Sequence, residues 1–502
     1  MEKNRKNSLF NSAVLALGIV FSKILGAIYK IPLIGVLGAD GIGRYQQIFS
    51  VYAFLLTVVS GAISTAVARL VGEKEALENH TQSVSCYKGA KYLTFILGSG
   101  AAVLTLLLAY PLSLAQKAQN TLGYIAIAPS LIFASMTAAV RGFFQGKKQI
   151  FETTFSQLLE QAFKILFGIT LAKILLKKGI DYAVFGSLLG VTLSEIIAFA
   201  YLDVKAHFSI KHYPRSKADL KQVMSTGIKM NFSAAITPAL LLTDGLLVVW
   251  LLTSFNNTPS PSGAYGLMAG VAHTVVNVPT VIILSLPVAL TPFLSEAKAK
   301  RNSDSIQKKT RDNLTISYVA SVFFTLFVGI FSRSVISFLF PTLSINEIIS
   351  ASKLLVIMSV GQIFVIDLQF RSSLLQALGV TDKPLKILIV TALFKLIFTI
   401  PLTYRYGIYG AAASTIFGYA LGDILMANCY VSYLGKDKRL TLSTAKILLS
   451  GVVTFAILFS VKGFISNNLI KLVVYGIFGG AIYLSLLKLL GVIPRFSIKK
   501  AT

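Results

Sequence analysis

The chain has 502 residues, of which 55% are hydrophobic and 13% charged, and its formal net charge is +27. A soluble domain carries about 25% charged residues, so the composition excludes a soluble protein and indicates an integral membrane protein with many spans. The basic residues fall in short connections between apolar segments rather than on one folded face, which argues against a nucleic-acid-binding protein.

Fourteen apolar segments are long enough to cross a bilayer as helices, since a span needs about 20 residues. The first, which carries Lys23 and Lys30, and the fourth, which contains Pro129, are the least regular. The sequence therefore predicts an all-α integral membrane protein. The spans lie near 10–34, 45–72, 88–112, 122–143, 154–176, 181–204, 223–253, 264–293, 313–339, 351–377, 385–404, 407–433, 444–462 and 469–490.

The distribution of Lys and Arg predicts the orientation of these spans. Cytoplasmic connections are enriched in basic residues, and here the connections that follow even-numbered spans are the basic ones. Lys173, Lys177 and Lys178 depart from the rule, because they fall on the predicted outer side. The pattern predicts a multi-pass protein of the cytoplasmic membrane with both termini in the cytoplasm and no cleavable signal peptide.

An internal repeat relates the two halves of the chain. The order and spacing of the matching segments hold over more than fifty residues, which chance explains poorly. Spans 1–6 and 7–12 are therefore predicted to be two copies of a six-helix unit that begin on the same side of the membrane. The matching segments are 141–145 with 371–376, 163–167 with 394–398, 186–195 with 414–423, and 43–45 with 263–265.

The repeat predicts two pseudo-symmetric six-helix lobes around a central cavity. Residues 1–210 form the predicted N-terminal lobe, 211–435 the C-terminal lobe, and 436–502 two further helices outside the repeat. The polar segment from about 205 to 221 would link the lobes. Rocking of one lobe against the other would expose the cavity to each side of the membrane in turn.

Cations within apolar spans are expensive and usually face a bundle interior or a water-filled cavity. Lys23 and Lys30 are seven residues apart, close to two helical turns, so they share a helix face. With Arg44 they could line one side of the cavity. Long side chains near helix ends can instead reach the headgroups, an alternative that we favour for Arg44 and leave open for Lys30.

Lys164 and Lys395 occupy equivalent positions of the repeat. Glu160 stands four residues before Lys164, an arrangement that stabilises a helix by about 0.2–0.5 kcal/mol, so we expect a Glu160–Lys164 ion pair. Lys395 has no such neighbour and is therefore the better candidate for contact with a substrate.

Four carboxylates within the spans are candidates for coupling transport to an ion gradient: Asp244, Asp367, Glu195 and Asp423. Such groups mark proton relays or cation sites when they face water. Asp244 and Asp367 rank first, because both are expected to lack a basic residue one turn further on. Glu195 and Asp423 are related by the repeat, so structural pairing is the alternative for them.

The sequence carries no signal of an enzyme or a metal protein. Cys86, Cys429 and four scattered histidines have no ligand spacing, and neither a Walker loop nor a glycosyltransferase motif occurs. No metal and no cofactor are expected, and an ion gradient or the membrane potential remains as the energy source.

Three motifs carry a family resemblance: SKILG at 22–26, GADGIGRY at 38–45 and AVARLVGE at 66–73. They resemble the polysaccharide-exporter branch of the multidrug/oligosaccharidyl-lipid/polysaccharide superfamily, in particular the stage V sporulation protein B-like group and the MurJ-type lipid II flippases. The segment RGFFQG at 141–146 fits the same pattern, so the resemblance covers nearly the whole chain.

The resemblance implies a flippase that moves an undecaprenyl-pyrophosphate-linked glycan precursor from the inner to the outer leaflet. Lys23 matches a basic position of the family motif and would bind the pyrophosphate, while the family's second basic position falls on Tyr29 beside Lys30. The two added spans are similar to a pair that forms a groove for the lipid tail. The implied partners are this lipid-linked oligosaccharide and the bilayer, without nucleic acid, and a monomer suffices.

Two other functions fit parts of the sequence. A cation-coupled multidrug exporter shares the twelve-span core, but the extra spans and the excess of basic residues argue against it. A membrane glycosyltransferase would need a metal-binding or acid–base set on the outer face, and the sequence offers none.

Overall fold

The computed structural model describes residues 2–61, 63–117, 120–209, 235–256, 258–299, 303–380 and 382–492. The described chain consists of helices joined by short turns, and no strand occurs in it. This confirms the all-α fold class. Within these ranges the description leaves out the side chains of residues 2–17, 19, 20, 23, 208, 209, 288, 289, 291–293 and 295–299.

The first part of the described chain forms helices that correspond to the first six predicted spans. Asn79 and Asn120 begin two of them, because each side chain accepts a hydrogen bond from a backbone N–H of the first turn. Pro129 separates α4 from α5 within the fourth predicted span. The helices are α1 (Glu2–Ser60), α2 (Ile63–Ala76), α3 (His80–Ala115), α4 (Thr121–Ile127), α5 (Ser130–Gly146), α6 (Ile150–Leu176) and α7 (Ile180–Ser209).

The remaining described helices include two π-helical turns. One, Asp244–Val248, lies within α8 (Ala235–Ser254), and the other, Gly266–Ala272, joins α9 (Pro261–Tyr265) to α10 (His273–Ala299). They are followed by α11 (Ser303–Leu339), α12 (Ile345–Ala377), α13 (Asp382–Leu434), α14 (Lys438–Val461) and α15 (Asn468–Leu489).

Glycines with positive φ break two of the long helices. Gly38 in α1 has φ 64° and Gly407 in α13 has φ 59°, a left-handed conformation that glycine adopts without a steric penalty. The break at Gly38 falls between two predicted spans, and the break at Gly407 falls at the first residue of a predicted span. Gly179, with φ 120° between α6 and α7, is the repeat equivalent of Gly407, so both halves of the chain turn at a glycine there.

Eleven helices of the described chain are long and apolar enough to cross a membrane. Two of these, of 53 residues each, contain the glycine breaks and correspond to two predicted spans apiece. Helix α6 is not among the eleven, because charged residues such as Glu160 and Lys164 interrupt its apolar character. The described helices are consistent with fourteen spans, and the protein is a multi-pass membrane protein.

The chain divides into two compact units, Met1–Gly270 and Val271–Thr502. The core of the first unit is built by apolar side chains of α2, α3, α5 and α7, including Val67, Tyr87 and Phe143. The predicted lobe boundary between residues 210 and 211 lies outside the described residues. The division into 1–210, 211–435 and 436–502 therefore stays a prediction.

Within the first unit, α1 and the segment 261–270 approach each other backbone to backbone. A Cβ on Gly43 would lie 1.8 Å from the carbonyl oxygen of Ser262, and a Cβ on Gly266 would lie 2.1 Å from that of Ala39. Only glycine fits such an approach. The repeat-related segments at 43–45 and 263–265 thus meet directly.

In the second unit the last helix, α15, packs on α11 through aromatic pairs, while α14 packs on α11 at Gly451, where a Cβ would lie 2.7 Å from the side chain of Leu326. The rings of Phe323 and Tyr483 have centroids 5.6 Å apart, and those of Phe331 and Tyr475 lie 5.2 Å apart. Tyr483 also belongs to an apolar core that is built from residues of all the helices from α10 to α15. The helices outside the repeat are therefore an integral part of this unit.

Candidate substrate and coupling sites

Arg44 lies in the second half of α1 and is paired with two carboxylates. Its Nη2 is 2.8 Å from Asp40 Oδ2, one turn earlier, and its Nη1 is 2.6 Å from Asp181 Oδ1 at the start of α7. Ser260 Oγ also donates to Asp40 at 3.0 Å. The guanidinium therefore links α1 to α7, and its contact with a substrate stays a prediction.

Lys30 and Lys164 place two half-buried ammonium groups near each other in the first unit, where their charges repel. The Lys164 ammonium lies 5.3 Å from the ring centroid of Phe49 and 5.7 Å from that of Tyr29. Such cation–π contacts are worth about 0.5–2 kcal/mol. No carboxylate of the described chain forms an ion pair with Lys30. An anion bound here would relieve the repulsion.

Lys23 lies in the helical backbone of α1, and its side chain is outside the described residues. One turn later, a Cβ on Gly26 would be 3.1 Å from Gln161 Oε1 of α6. The side-chain oxygens of Gln157 and Gln161 are buried and have no hydrogen-bond partner among the described atoms. Helix α6 thus turns a polar face towards this part of α1, while the role of Lys23 stays a prediction.

A second charged group joins α5, α6 and α7 in the first unit. Arg141 Nη2 is 2.9 Å from Glu160 Oε2, and Arg141 Nε donates to Ser156 Oγ at 3.0 Å. Glu195 is buried and interacts electrostatically with both partners. The predicted direct Glu160–Lys164 ion pair is wrong, because the guanidinium from the neighbouring helix takes the carboxylate. Lys164 contacts aromatic rings and interacts with Glu160 and Glu195 electrostatically, without a direct ion pair.

The second unit contains a related group on α11, α12 and α13. Arg371 Nε donates to Asp367 Oδ1 at 2.8 Å, and Tyr318 OH donates to Asp367 Oδ2 at 2.8 Å. Asp423 lies beside Asp367, and its Oδ1 is buried without a hydrogen-bond partner in the described part of the chain. The expectation that Asp367 has no basic residue one turn on is wrong, since Arg371 is that residue.

The repeat relates these two groups. Arg141 is equivalent to Arg371, and Glu195 is equivalent to Asp423. Each unit therefore brings one arginine together with two carboxylates. The sequence prediction used the arginines only as repeat markers and missed their pairing; an arginine inside an apolar span of both copies was the signal that could have revealed it.

The carboxylate that pairs with each arginine comes from a different position of the repeat. In the first unit it is Glu160 of α6, and the equivalent residue of the second unit is Thr391. In the second unit it is Asp367 of α12, and the equivalent residue of the first unit is Thr137. The charge balance is conserved between the copies although the helix that supplies the carboxylate has changed.

Lys395 and Asp244 are the two remaining candidates, and neither belongs to the two charged groups described above. Lys395 is buried where the two halves of α13 pack, since a Cβ on Gly418 would lie 2.6 Å from its Cβ. Asp244 opens the π-helical turn of α8 and interacts electrostatically with Tyr265. Their roles stay predictions. The described residues contain no group of three His, Cys, Asp or Glu side chains suited to a metal ion.

Comparison with known proteins supports a family assignment. The profile of the family described as polysaccharide biosynthesis protein matches residues 8–298, and the MatE profile matches residues 263–401. Stage V sporulation protein B of Bacillus subtilis (strain 168) is 24% identical, over 97% of this chain and 96% of its own. Lipid II flippase MurJ of the same strain is 22% identical, over 94% of this chain and 93% of its own.

A solved structure of a lipid II flippase MurJ in an inward closed conformation shares the fold. Its TM-score is 0.73 at 15% identity, over 95% of this chain and 98% of that one. The match to the profile of the polysaccharide biosynthesis protein family spans more than half of the chain. The chain belongs to the polysaccharide biosynthesis protein family.

Proposed function

We propose that this protein is an alternating-access flippase for an undecaprenyl-pyrophosphate-linked glycan precursor, with lipid II as the first candidate. It would move the precursor from the inner to the outer leaflet of the cytoplasmic membrane, for cell-wall or polysaccharide synthesis. The similarity to stage V sporulation protein B and to a lipid II flippase along almost the whole chain supports this proposal. On this proposal the protein moves its substrate without altering it and needs no cofactor.

The observation that carries the proposal is the positive charge between α1 and α6. Lys30 and Lys164 repel each other in half-buried positions, and Lys30 has no carboxylate partner in the described chain. A cation inside a membrane helix bundle needs a counter-charge. A diphosphate supplies negative charge and several acceptors for charge-assisted hydrogen bonds. By its spacing, Lys23 shares the helix face of Lys30 and would extend this surface.

We further propose that an ion gradient or the membrane potential drives transport through the buried carboxylates. Asp423 is the first candidate, because its Oδ1 is buried without a hydrogen-bond partner among the described atoms and could accept a proton or a cation. Glu195 holds the equivalent position in the other charged group, and Asp367 is paired with Arg371. Asp244 is the remaining candidate, in α8.

The alternative is a cation-coupled multidrug exporter, which the match of the MatE profile to residues 263–401 favours. The charge of the substrate separates the two functions. Lys30 and Lys164 would repel a cationic drug and attract a diphosphate. Export of a cationic dye from energised vesicles would therefore support the alternative, and retention of an anionic lipid precursor would support the flippase.

The proposed substrate site is tested by native mass spectrometry of the purified protein with lipid II. We expect a Lys23→Ala/Lys30→Ala variant to retain the lipid at least about tenfold less, since charge-assisted hydrogen bonds contribute about 1.5–3 kcal/mol each. Lys173→Ala, which removes an exposed lysine of α6, is the matched control. Wild-type lipid retention by the double variant, together with full complementation of a flippase-deficient strain, would refute the site.

A further inference from the structure

A basic pocket of about 530 Å³ opens in the second unit. It lies where the first turns of α11 meet the connection between α13 and α14 and the first residues of α14. Five basic side chains line it: Lys308, Arg311, Lys436, Lys438 and Arg439. This is a larger concentration of cations than either charged group described above.

The walls of the pocket are held together by specific contacts. Gln307 Nε2 donates to the carbonyl oxygen of Leu434 at 2.7 Å, which attaches the end of α13 to α11. Arg311 Nη1 is 3.4 Å from Asp437 Oδ2. The other oxygen of Asp437 accepts hydrogen bonds from the backbone N–H groups of Arg439 and Leu440 and so begins α14. The cations around the pocket are therefore carried on a fixed backbone.

Among the described residues, the five basic side chains that line the pocket outnumber its two acidic ones, and Asp312 lies 3.7 Å from Arg311. Asp437 is engaged by Arg311 and by the first turn of α14. Asp304 is the other acidic residue of the lining. The remaining cations, Lys308, Lys436, Lys438 and Arg439, are exposed, and none of them pairs with a carboxylate of the described chain. An anion is the ligand that this arrangement favours.

The position of the pocket along the helices points to a membrane lipid. After Arg439 helix α14 carries one further charged residue, Lys446, and Leu442 and Leu449 are 58% and 57% exposed on its surface. At the end of α13, Tyr433 is exposed beside the pocket, as aromatic side chains at the membrane interface commonly are. Cations next to a lipid-facing helix lie at the level of the headgroups, where basic clusters bind anionic lipids.

We propose that this pocket binds the phosphate group of an anionic membrane lipid, whose acyl chains lie along the exposed apolar face of α14. The lysines and the arginine contact the phosphate, and Asp437 holds Arg311 and the start of α14 in place. This site is separate from the cations of α1 and α6. It stands whether or not the protein is a flippase.

The test is native mass spectrometry of the full-length protein in dodecyl maltoside, titrated with dioleoylphosphatidylglycerol. We expect Lys436→Gln/Lys438→Gln/Arg439→Gln to bind this lipid at least about tenfold more weakly than the wild type, and Lys308→Gln on the opposite wall to show a smaller loss. Lys173→Gln/Lys177→Gln/Lys178→Gln removes three exposed lysines elsewhere and should bind as the wild type does.

Further lipids identify what the pocket recognises. Dioleoylphosphatidylcholine should bind weakly, and undecaprenyl pyrophosphate should compete with phosphatidylglycerol, because it carries the same phosphate chemistry. Inorganic pyrophosphate should compete only at much higher concentrations, since it lacks the acyl chain. Unchanged binding in both the triple variant and Lys308→Gln, or competition by inorganic pyrophosphate as strong as that by the lipid, would overturn the proposal.

Discussion

The charge balance around Arg371 allows a quantitative prediction. Arg371→Gln would leave Asp367 and Asp423 side by side without their guanidinium, whereas Asp367→Asn would leave one arginine and one carboxylate. We therefore predict that loss of the arginine destabilises the protein more than loss of its direct partner. A pair that stabilised the fold only through its own two members would show no such asymmetry.

The magnitude follows from the burial of the pair. The side chains of Arg371 and Asp367 are 12% and 8% exposed, so the value of about 0–1 kcal/mol for exposed ion pairs does not apply. Removing one partner of a buried pair costs about 3–5 kcal/mol, and we expect this cost for Arg371→Gln. For Asp367→Asn we expect about 1–2 kcal/mol, because Asp423 remains near the arginine.

The assay is the free energy of unfolding of the full-length protein in mixed dodecyl maltoside–SDS micelles. Arg405→Gln changes an exposed arginine of α13 and serves as the control, with an expected change within about 0.5 kcal/mol. The cost of Arg371→Gln should be smaller at pH 5 than at pH 7.5, because the uncompensated carboxylates of the native variant take up protons. An equal or larger cost for Asp367→Asn would refute the reasoning.

Two further predictions concern the close backbone approach and the coupling carboxylate. Gly43→Ala places a Cβ 1.8 Å from the carbonyl oxygen of Ser262, so we expect destabilisation of about 3 kcal/mol or more and loss of the folded species in size-exclusion chromatography. The control is Gly329→Ala, whose Cβ would have nothing within 4 Å and which should be neutral or slightly stabilising. Similar behaviour of both variants would contradict the close approach. Asp423→Asn should retain lipid binding but lose the response of transport to a pH gradient in proteoliposomes. Asp304→Asn, in the exposed first turn of α11, should keep that response. A gradient response that survives in Asp423→Asn would exclude this carboxylate as the coupling group.

The sequence alone predicted the helical membrane fold and the places where its spans separate. Both properties are local, because a bilayer demands about 20 consecutive apolar residues per span and a glycine at the break allows a positive φ. Gly38 and Gly407 show this, since one lies between two predicted spans and the other at the first residue of a span, each inside a helix that is otherwise continuous. The family resemblance was equally accessible, because its motifs are short contiguous segments.

Only the tertiary structure decided which charges of different helices meet. Glu160 has a lysine one turn away on its own helix, yet it pairs with Arg141, 19 residues distant, and Arg44 reaches Asp181 across 137 residues. The rotation of each helix about its axis and the side chain that arrives from its neighbour determine such pairs, and neither is encoded within a single span. The partners of Glu160 and of Arg44 on α7 therefore required the packed helices, whereas the Asp40–Arg44 and Asp367–Arg371 pairs lie one turn apart on one helix and could have been found in the sequence.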